Sequence, residues 1–223
     1  MYRAQHLPSD LVGGYSLTGS FQIAPSTGSV DVIAARTTTA GYLMSFRWAP
    51  GASDARRCYI KRVAARFTCT TAFPTPQEMG CDLIIARSFS AAHTNGTSID
   101  TGSTLTDTGA LKTVFASSGM ATAARVKVAD TNEVTASTQT LDGAPLSVIS
   151  AWSAGLGDTV PLGMPDGTGG GFGVLWDVNA SGYPIVLANN EGIIVRNLIL
   201  MGATGVGRWD FQVAWDEGVP NPI

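Results

Sequence analysis

RWDFQVAWDE, Arg208 to Glu217, repeats with a period of two. In an extended chain Trp209, Phe211, Val213 and Trp215 fall on one face, and Arg208, Asp210, Gln212 and Ala214 fall on the other. Successive side chains of a strand point to opposite sides of a sheet. A strand of this kind puts one face on a core and turns the other to solvent or a partner. The aromatic face reads as core, with Trp209 and Trp215 kept as alternative inter-subunit contacts. This strand therefore asks for a layered β fold, provided that the rest of the chain supplies the other layers.

It does. SVDVIAAR (Ser29 to Arg36), YLMSFRW (Tyr42 to Trp48), CYIKRVAARFTC (Cys58 to Cys69) and DLIIARSFS (Asp82 to Ser90) have strand length and β-rich composition. ARVKVAD (Ala124 to Asp130), FGVLWDV (Phe172 to Val178), PIVLAN (Pro184 to Asn189) and GIIVRNLILM (Gly192 to Met201) follow. Turn-forming residues bound most of them. The expected fold class is all-β: an antiparallel, jelly-roll-like β-sandwich with long surface loops and few or no helices. TPQEMG (Thr75 to Gly80) has a Thr cap, an early proline and a glycine stop, which predicts one helical turn. The first 25 residues lack strong patterning and read as an N-terminal arm, ordered on assembly, leaving residues 26–223 as a single domain.

Composition agrees with the pattern. Of the 223 residues 44% are hydrophobic and only 14% charged, too apolar for a disordered chain and too sparsely charged for a helical one. The formal net charge of −3 does not favour a nucleic-acid partner. Basic residues cluster in ARRCYIKRVAARF (Ala55 to Phe67). Strict alternation would put Arg57, Tyr59 and Lys61 on one side and Cys58, Ile60 and Arg62 on the other, so it predicts no uniform basic face. No apolar run reaches the roughly 20 residues that span a bilayer, which argues against a membrane partner. The N-terminus lacks the apolar run of a signal peptide, and the expected setting is the reducing cytoplasm.

Motifs with catalytic precedent fail on context. Asp-Thr-Gly occurs at Asp100 and Asp107, the signature of paired protease carboxylates. Both copies lie in one Ser/Thr-rich stretch, without the apolar strands that such a dyad needs, and read as turns. GTGGGFG (Gly167 to Gly173) lacks the Lys-Ser/Thr ending of a phosphate loop and leads into a strand. The two histidines, His6 in the unpatterned N-terminus and His93 in a polar, turn-rich loop, have no G-x-S-x-G motif to accompany them. Cys58, Cys69 and Cys81 make an odd, widely spaced set and read as small core residues. DTNE (Asp130 to Glu133) reads as a turn that needs no ion. No catalytic, cofactor-binding or metal residue is expected.

Two stretches carry a resemblance. CYIKRVAARFTCTTAFPTPQEMGCDLIIARSFSAAHTNGT (Cys58 to Thr97) combines a strand, T-x-A-F, Q-E-x-G-x-D-L and a turn. PIVLANNEGIIVRNLILMGATGVGRWDFQVAWDE (Pro184 to Glu217) combines L-A-x-N-E-G, a V-R-N strand and M-G-A-T-G-V before the final alternating strand. LSVISAWSAG (Leu146 to Gly155) fits as well. Together they resemble a family of structural proteins of tailed-bacteriophage virions. The resemblance implies a jelly-roll-like, non-enzymatic capsid decoration or cement protein. Its partners would be the major capsid protein and further copies of itself, as a homotrimer on the capsid surface, assembled in the host cytoplasm. It implies no catalytic residues.

Glu191, Arg196 and Asn197 flank or interrupt the aliphatic strand GIIVRN and are expected to fix the last β-hairpin or a subunit interface. The alternative reading is a tail, baseplate or fibre module, or a glycan-binding jelly roll with Trp152, Trp176 and Tyr183 as its aromatic platform. A hydrolase using Asp100 or Asp107 is the third.

Overall fold

A computed structural model describes residues 15–31, 33–50, 54–99, 126–135, 138–153, 159–161, 172–202 and 204–220. Thirteen strands are described: β1 (Tyr15–Ile23), β2 (Tyr42–Trp48), β3 (Arg57–Thr71), β4 (Gln77–Arg87), β5 (Thr97–Ile99), β6 (Val126–Val128), β7 (Thr140–Leu141), β8 (Ser147–Ser153), β9 (Thr159–Pro161), β10 (Gly173–Asp177), β11 (Ile185–Leu187), β12 (Glu191–Asn197) and β13 (Val206–Pro220). One short helix, α1 (Val178–Ser181), joins β10 to β11. Every pairing among the described strands is antiparallel.

The topology follows from nested pairing. β1 pairs with β13, β2 with β12, β3 with β10 and β11, and β4 with β8. The first strand thus meets the last, and each inner strand meets its counterpart, as in one long folded ribbon. Rolling up that ribbon gives one sheet in the order β1-β13-β3-β10 and a second containing β2-β12-β4, with β8 on β4. This is the jelly-roll form of an antiparallel β-sandwich. Short strands extend it: β5 and β6 add to the β2 edge of the second sheet, and β9 and β11 share the free side of β3 with β10.

The two inner faces form one core. Phe21, Ile60, Val63, Phe67, Trp209, Phe211 and Trp215 come from the first sheet, and Phe46, Trp48, Leu83, Ile193 and Val195 come from the second. Phe46 meets Trp215 edge-on, 5.1 Å between ring centroids, which locks the sheets together at the point the alternating strand foretold. Trp209, Phe211, Val213 and Trp215 are all fully buried. The reading of Trp209 and Trp215 as inter-subunit contacts is thereby corrected.

The second sheet also carries apolar residues on its outer face. Tyr42, Ile84, Ala86, Phe89, Val134 and Ile194 form a second cluster there. Segments leading out of β4 and back to β7 cover it, tied down by bridges Tyr42 to Val134 and Thr94 to Thr135.

Four expectations change. Residues 15–23, placed in the arm, form β1 and pair along β13 from Tyr15 opposite Pro220 to Ile23 opposite Val213. The helical turn at Thr75–Gly80 is absent, because Gln77 starts β4 opposite Ser153 and Met79 enters the core. Of Ser29–Arg36 only an isolated bridge, Val30 to Gly207, has strand character among the described residues. β12 and β13 form no hairpin: they lie in different sheets, and the chain between them crosses from one layer to the other.

Candidate functional site

The residues expected to fix the last hairpin do other work, at opposite ends of β12. Glu191 closes the turn from β11: its Oε2 accepts the Ala188 amide at 2.8 Å and its Oε1 accepts Arg87 at 2.8 Å. At the far end Arg196 donates through Nε and Nη2 to the two oxygens of Asp82, at 3.0 and 2.7 Å. Asp82 is fully buried on β4 and is also paired with Arg36, while Arg196 Nη1 donates to the Thr37 carbonyl. Two guanidinium groups on one carboxylate satisfy a charge that burial alone would forbid. Asn197 Nδ2 donates to the carbonyls of Ile33 and Ala34, at 3.2 and 3.1 Å. Arg196 and Asn197 thus pin the 33–37 segment across the sandwich end, inside one chain.

The three aromatic residues of the glycan reading are scattered. Trp152 is 69% exposed near the end of β8, opposite Glu78 of β4. Trp176 packs against the core from β10. β8 approaches β10 at its start, where Ser147 Oγ donates to the Leu175 carbonyl at 2.5 Å. Five residues of strand, roughly 17 Å, therefore separate Trp152 from that contact. Tyr183 is 56% exposed in the turn after α1. No single platform holds all three.

Groups with catalytic potential divide in two. Asp100, Asp107, His6 and Gly167 to Gly171 lie outside the described residues. His93, assigned to a polar loop by sequence, is instead buried between Tyr42 and Phe89, with centroids at 5.5 and 4.9 Å. Its Nε2 bonds to Gln139 Oε1 at 3.2 Å, and burial pushes its pKa down to about 4. Cys58, Cys69 and Cys81 are buried and form no disulfide, and burial raises the thiol pKa of Cys58 and of Cys81 well above the usual value. No group of three potential metal ligands occurs among the described residues. The DTNE turn borders a polar cavity of about 360 Å³ with Asp31 and Asn95 on its other walls. Glu133 there accepts the Gly41 amide at 2.8 Å, a structural use of the carboxylate. Among the described residues no helix is long and apolar enough to cross a membrane.

The outer face of the first sheet departs most from expectation. Cys58 and Ile60 of β3 point into the core, and so do Val63, Ala65, Phe67 and Cys69. The phase slips by one residue between Ile60 and Val63. The cause is a bulge: Trp215 pairs with Ile60 and Ala214 with Arg62, leaving Lys61 as the extra residue. Arg62 therefore turns outward and joins Arg57, Lys61 and Arg66, and Arg208 of β13 sits beside them. Strict alternation missed this shared basic face because a bulge leaves no reliable mark in one sequence. Lys61 pairs with Asp216 at 2.6 Å, and Asp210 holds both Arg66 at 2.8 Å and Arg208 at 3.0 Å. Those bonds and the adjoining Ser26 hydroxyl, at 2.6 Å, hold the Asp210 carboxyl below its usual pKa against the opposing effect of burial.

Searches of protein-family models, curated proteins and solved structures find no match to this chain.

Proposed function

We propose that this chain is a non-enzymatic structural protein of a tailed-bacteriophage virion, a capsid decoration protein that seats on the major capsid protein lattice and stabilises the head. Copies act together, as a homotrimer on the capsid surface after assembly in the host cytoplasm. The resemblance of Cys58–Thr97 and Pro184–Glu217 to virion proteins supports this reading, and the nested jelly roll is a compatible scaffold.

The observation that carries it is the apolar surface beside β8. Val148 and Trp152 are exposed there, and so are Ile199 and Leu200 in the crossover before β13. Leu198 and Ser150 both crowd Gly80, which brings the crossover alongside β8. Apolar side chains gathered on a surface mark contacts with other proteins. Many modest contacts on a symmetric lattice add up to firm attachment by avidity.

Purified protein added to heads that lack it is expected to co-sediment with them and raise their resistance to heat. Recovery in tail fractions alone, from disrupted virions, would overturn the cement role in favour of a tail, baseplate or fibre module. A glycan-binding reading rests on Trp152 facing solvent opposite Glu78. Glycan-array binding lost on Trp152→Ala would favour it.

A further inference from the structure

We infer that the outer face of the first sheet is a docking surface for an acidic protein surface. The inference rests on the virion reading only for the partner's identity, not for its chemistry. Among the described residues five cations, Arg57, Lys61, Arg62, Arg66 and Arg208, share this face with two carboxylates, Asp210 and Asp216. The chain as a whole has the opposite balance, 14 basic to 17 acidic residues, so positive charge is concentrated here. Asp177 is the Cα partner of Arg62 on β10, but its carboxylate accepts from the Asn179 amide and caps α1. Even with Asp177 included, the face stays positive.

The arrangement has two parts. Asp210 and Asp216 hold Arg66, Arg208 and Lys61 in place by ion pairs, and Arg66 also lies over the Phe172 ring at 4.9 Å. Arg57 and Arg62 have no ion-pair partner among the described residues, and Arg62 is exposed. The side chain of Arg208 is 47% exposed despite its pair. Two unneutralised guanidinium groups on one face of a sheet suit carboxylates from another surface, each able to take a bidentate contact. The bulge at Lys61 is what brings Arg62 to this side. Nucleic acid is the competing polyanion: a duplex carries a continuous run of phosphates, and the negative net charge of the chain disfavours it over the few carboxylates of a protein surface.

The test uses the full chain and its Arg57→Glu/Arg62→Glu variant, with Lys127→Glu as a charge-changing control on β6 of the other sheet. Poly-L-glutamate stands in for an acidic protein surface, duplex DNA for nucleic acid, and capsids lacking the protein for the lattice. Wild type is expected to bind poly-L-glutamate in a salt-dependent way, and the double variant to lose about tenfold in affinity while the control keeps it. Equal binding by wild type and the double variant would overturn the inference. So would tighter binding to DNA than to poly-L-glutamate through the same arginines. Binding to poly-L-glutamate without binding to capsids would leave the acidic-partner inference standing and sink the capsid-decoration reading instead.

Discussion

His93 should make this protein acid-sensitive over a defined pH window. The imidazole is 3% exposed, packed at a tilt between Tyr42 and Phe89 in the layer that covers the second sheet. Gln139 Nε2 donates to Tyr42 Oη at 2.9 Å, so Gln139 Oε1 is left to accept from His93 Nε2–H. This fixes the neutral tautomer with a bare Nδ1, and Nδ1 has no hydrogen-bond partner among the described residues. Protonation would put a second proton on that buried nitrogen. Burial opposes this first, and the positive charges of Arg47 and Lys127 oppose it further, bringing the pKa from 6.5 to about 4. The unfolded chain therefore binds the proton more tightly than the folded one. Stability is unaffected above the unfolded value, falls as pH drops through the interval from 6.5 to about 4, and is constant in this respect below it. Between about pH 7 and about pH 4.5 the loss works out at about 2.5 kcal/mol. Urea unfolding followed by tryptophan fluorescence, in wild type and His93→Gln, isolates this part from the carboxylates that titrate in both. Wild type should lose about 2.5 kcal/mol more than the variant across that interval. Parallel stability curves for the two proteins would refute the reasoning.

Other perturbations have separate readouts. Asp82→Ala strands the guanidinium of Arg196 in a buried site and should cost about 3–5 kcal/mol in denaturant unfolding. Arg196→Ala should destabilise as well, and unchanged folding and assembly would refute the pinning role given to that pair. Gly192→Ala would bring a methyl group to 2.1 Å from the Phe46 carbonyl oxygen, so soluble expression and melting temperature should both fall sharply. The thiols of Cys58, Cys69 and Cys81 are buried, so a thiol reagent should label them at the rate of unfolding and not before. Trp152→Ser removes an exposed side chain and should change stability by no more than about 0.5 kcal/mol, while weakening attachment to heads.

What could be read in the sequence was set by how local its cause is. The alternation of Trp209 to Trp215 is local, and it located both a strand and its buried face. Layer assignment is not local. Gly192–Asn197 and Arg208–Glu217 are neighbours in the chain with turn residues between them, the signature of a hairpin, yet nested pairing sends them to different sheets. β1 carries an alternation of Tyr15, Leu17, Phe21 and Ile23 that Gly19 interrupts in its middle, and it gains its order from β13. At Thr75–Gly80 local helix signals lost to the ladder with β8. His93 was misplaced because its neighbours Ala91 to Thr97 are polar or small, while the rings that bury it come from Tyr42 and Phe89. Of the proposed site residues, Arg196 and Asn197 were legible as anomalies, a charge and an amide in an aliphatic strand. Their partners Asp82 and Ile33 to Ala34 lie over a hundred residues away.

The two outer faces of the sandwich show how such choices settle what the molecule can present. On the second sheet the outward positions Tyr42, Ile84 and Ile194 are large and apolar, and leaving them in water would oppose folding. That face is therefore roofed by its own chain, through Phe89 and Val134. On the first sheet the outward positions include Arg62, Ala64 and Arg66 on β3, and Asp210, Gln212 and Ala214 on β13. Their polar groups are satisfied by cross-strand ion pairs and solvent, and folding places no demand for a cover. Had β3 kept strict alternation past Ile60, Arg62 and Arg66 would have pointed into the core beside Trp215, each at a desolvation cost of several kcal/mol. The bulge at Lys61 avoids that cost and puts Arg57, Arg62 and Arg66 on one side of the sheet in the same step. The device that makes the strand foldable is thus also the one that charges the surface.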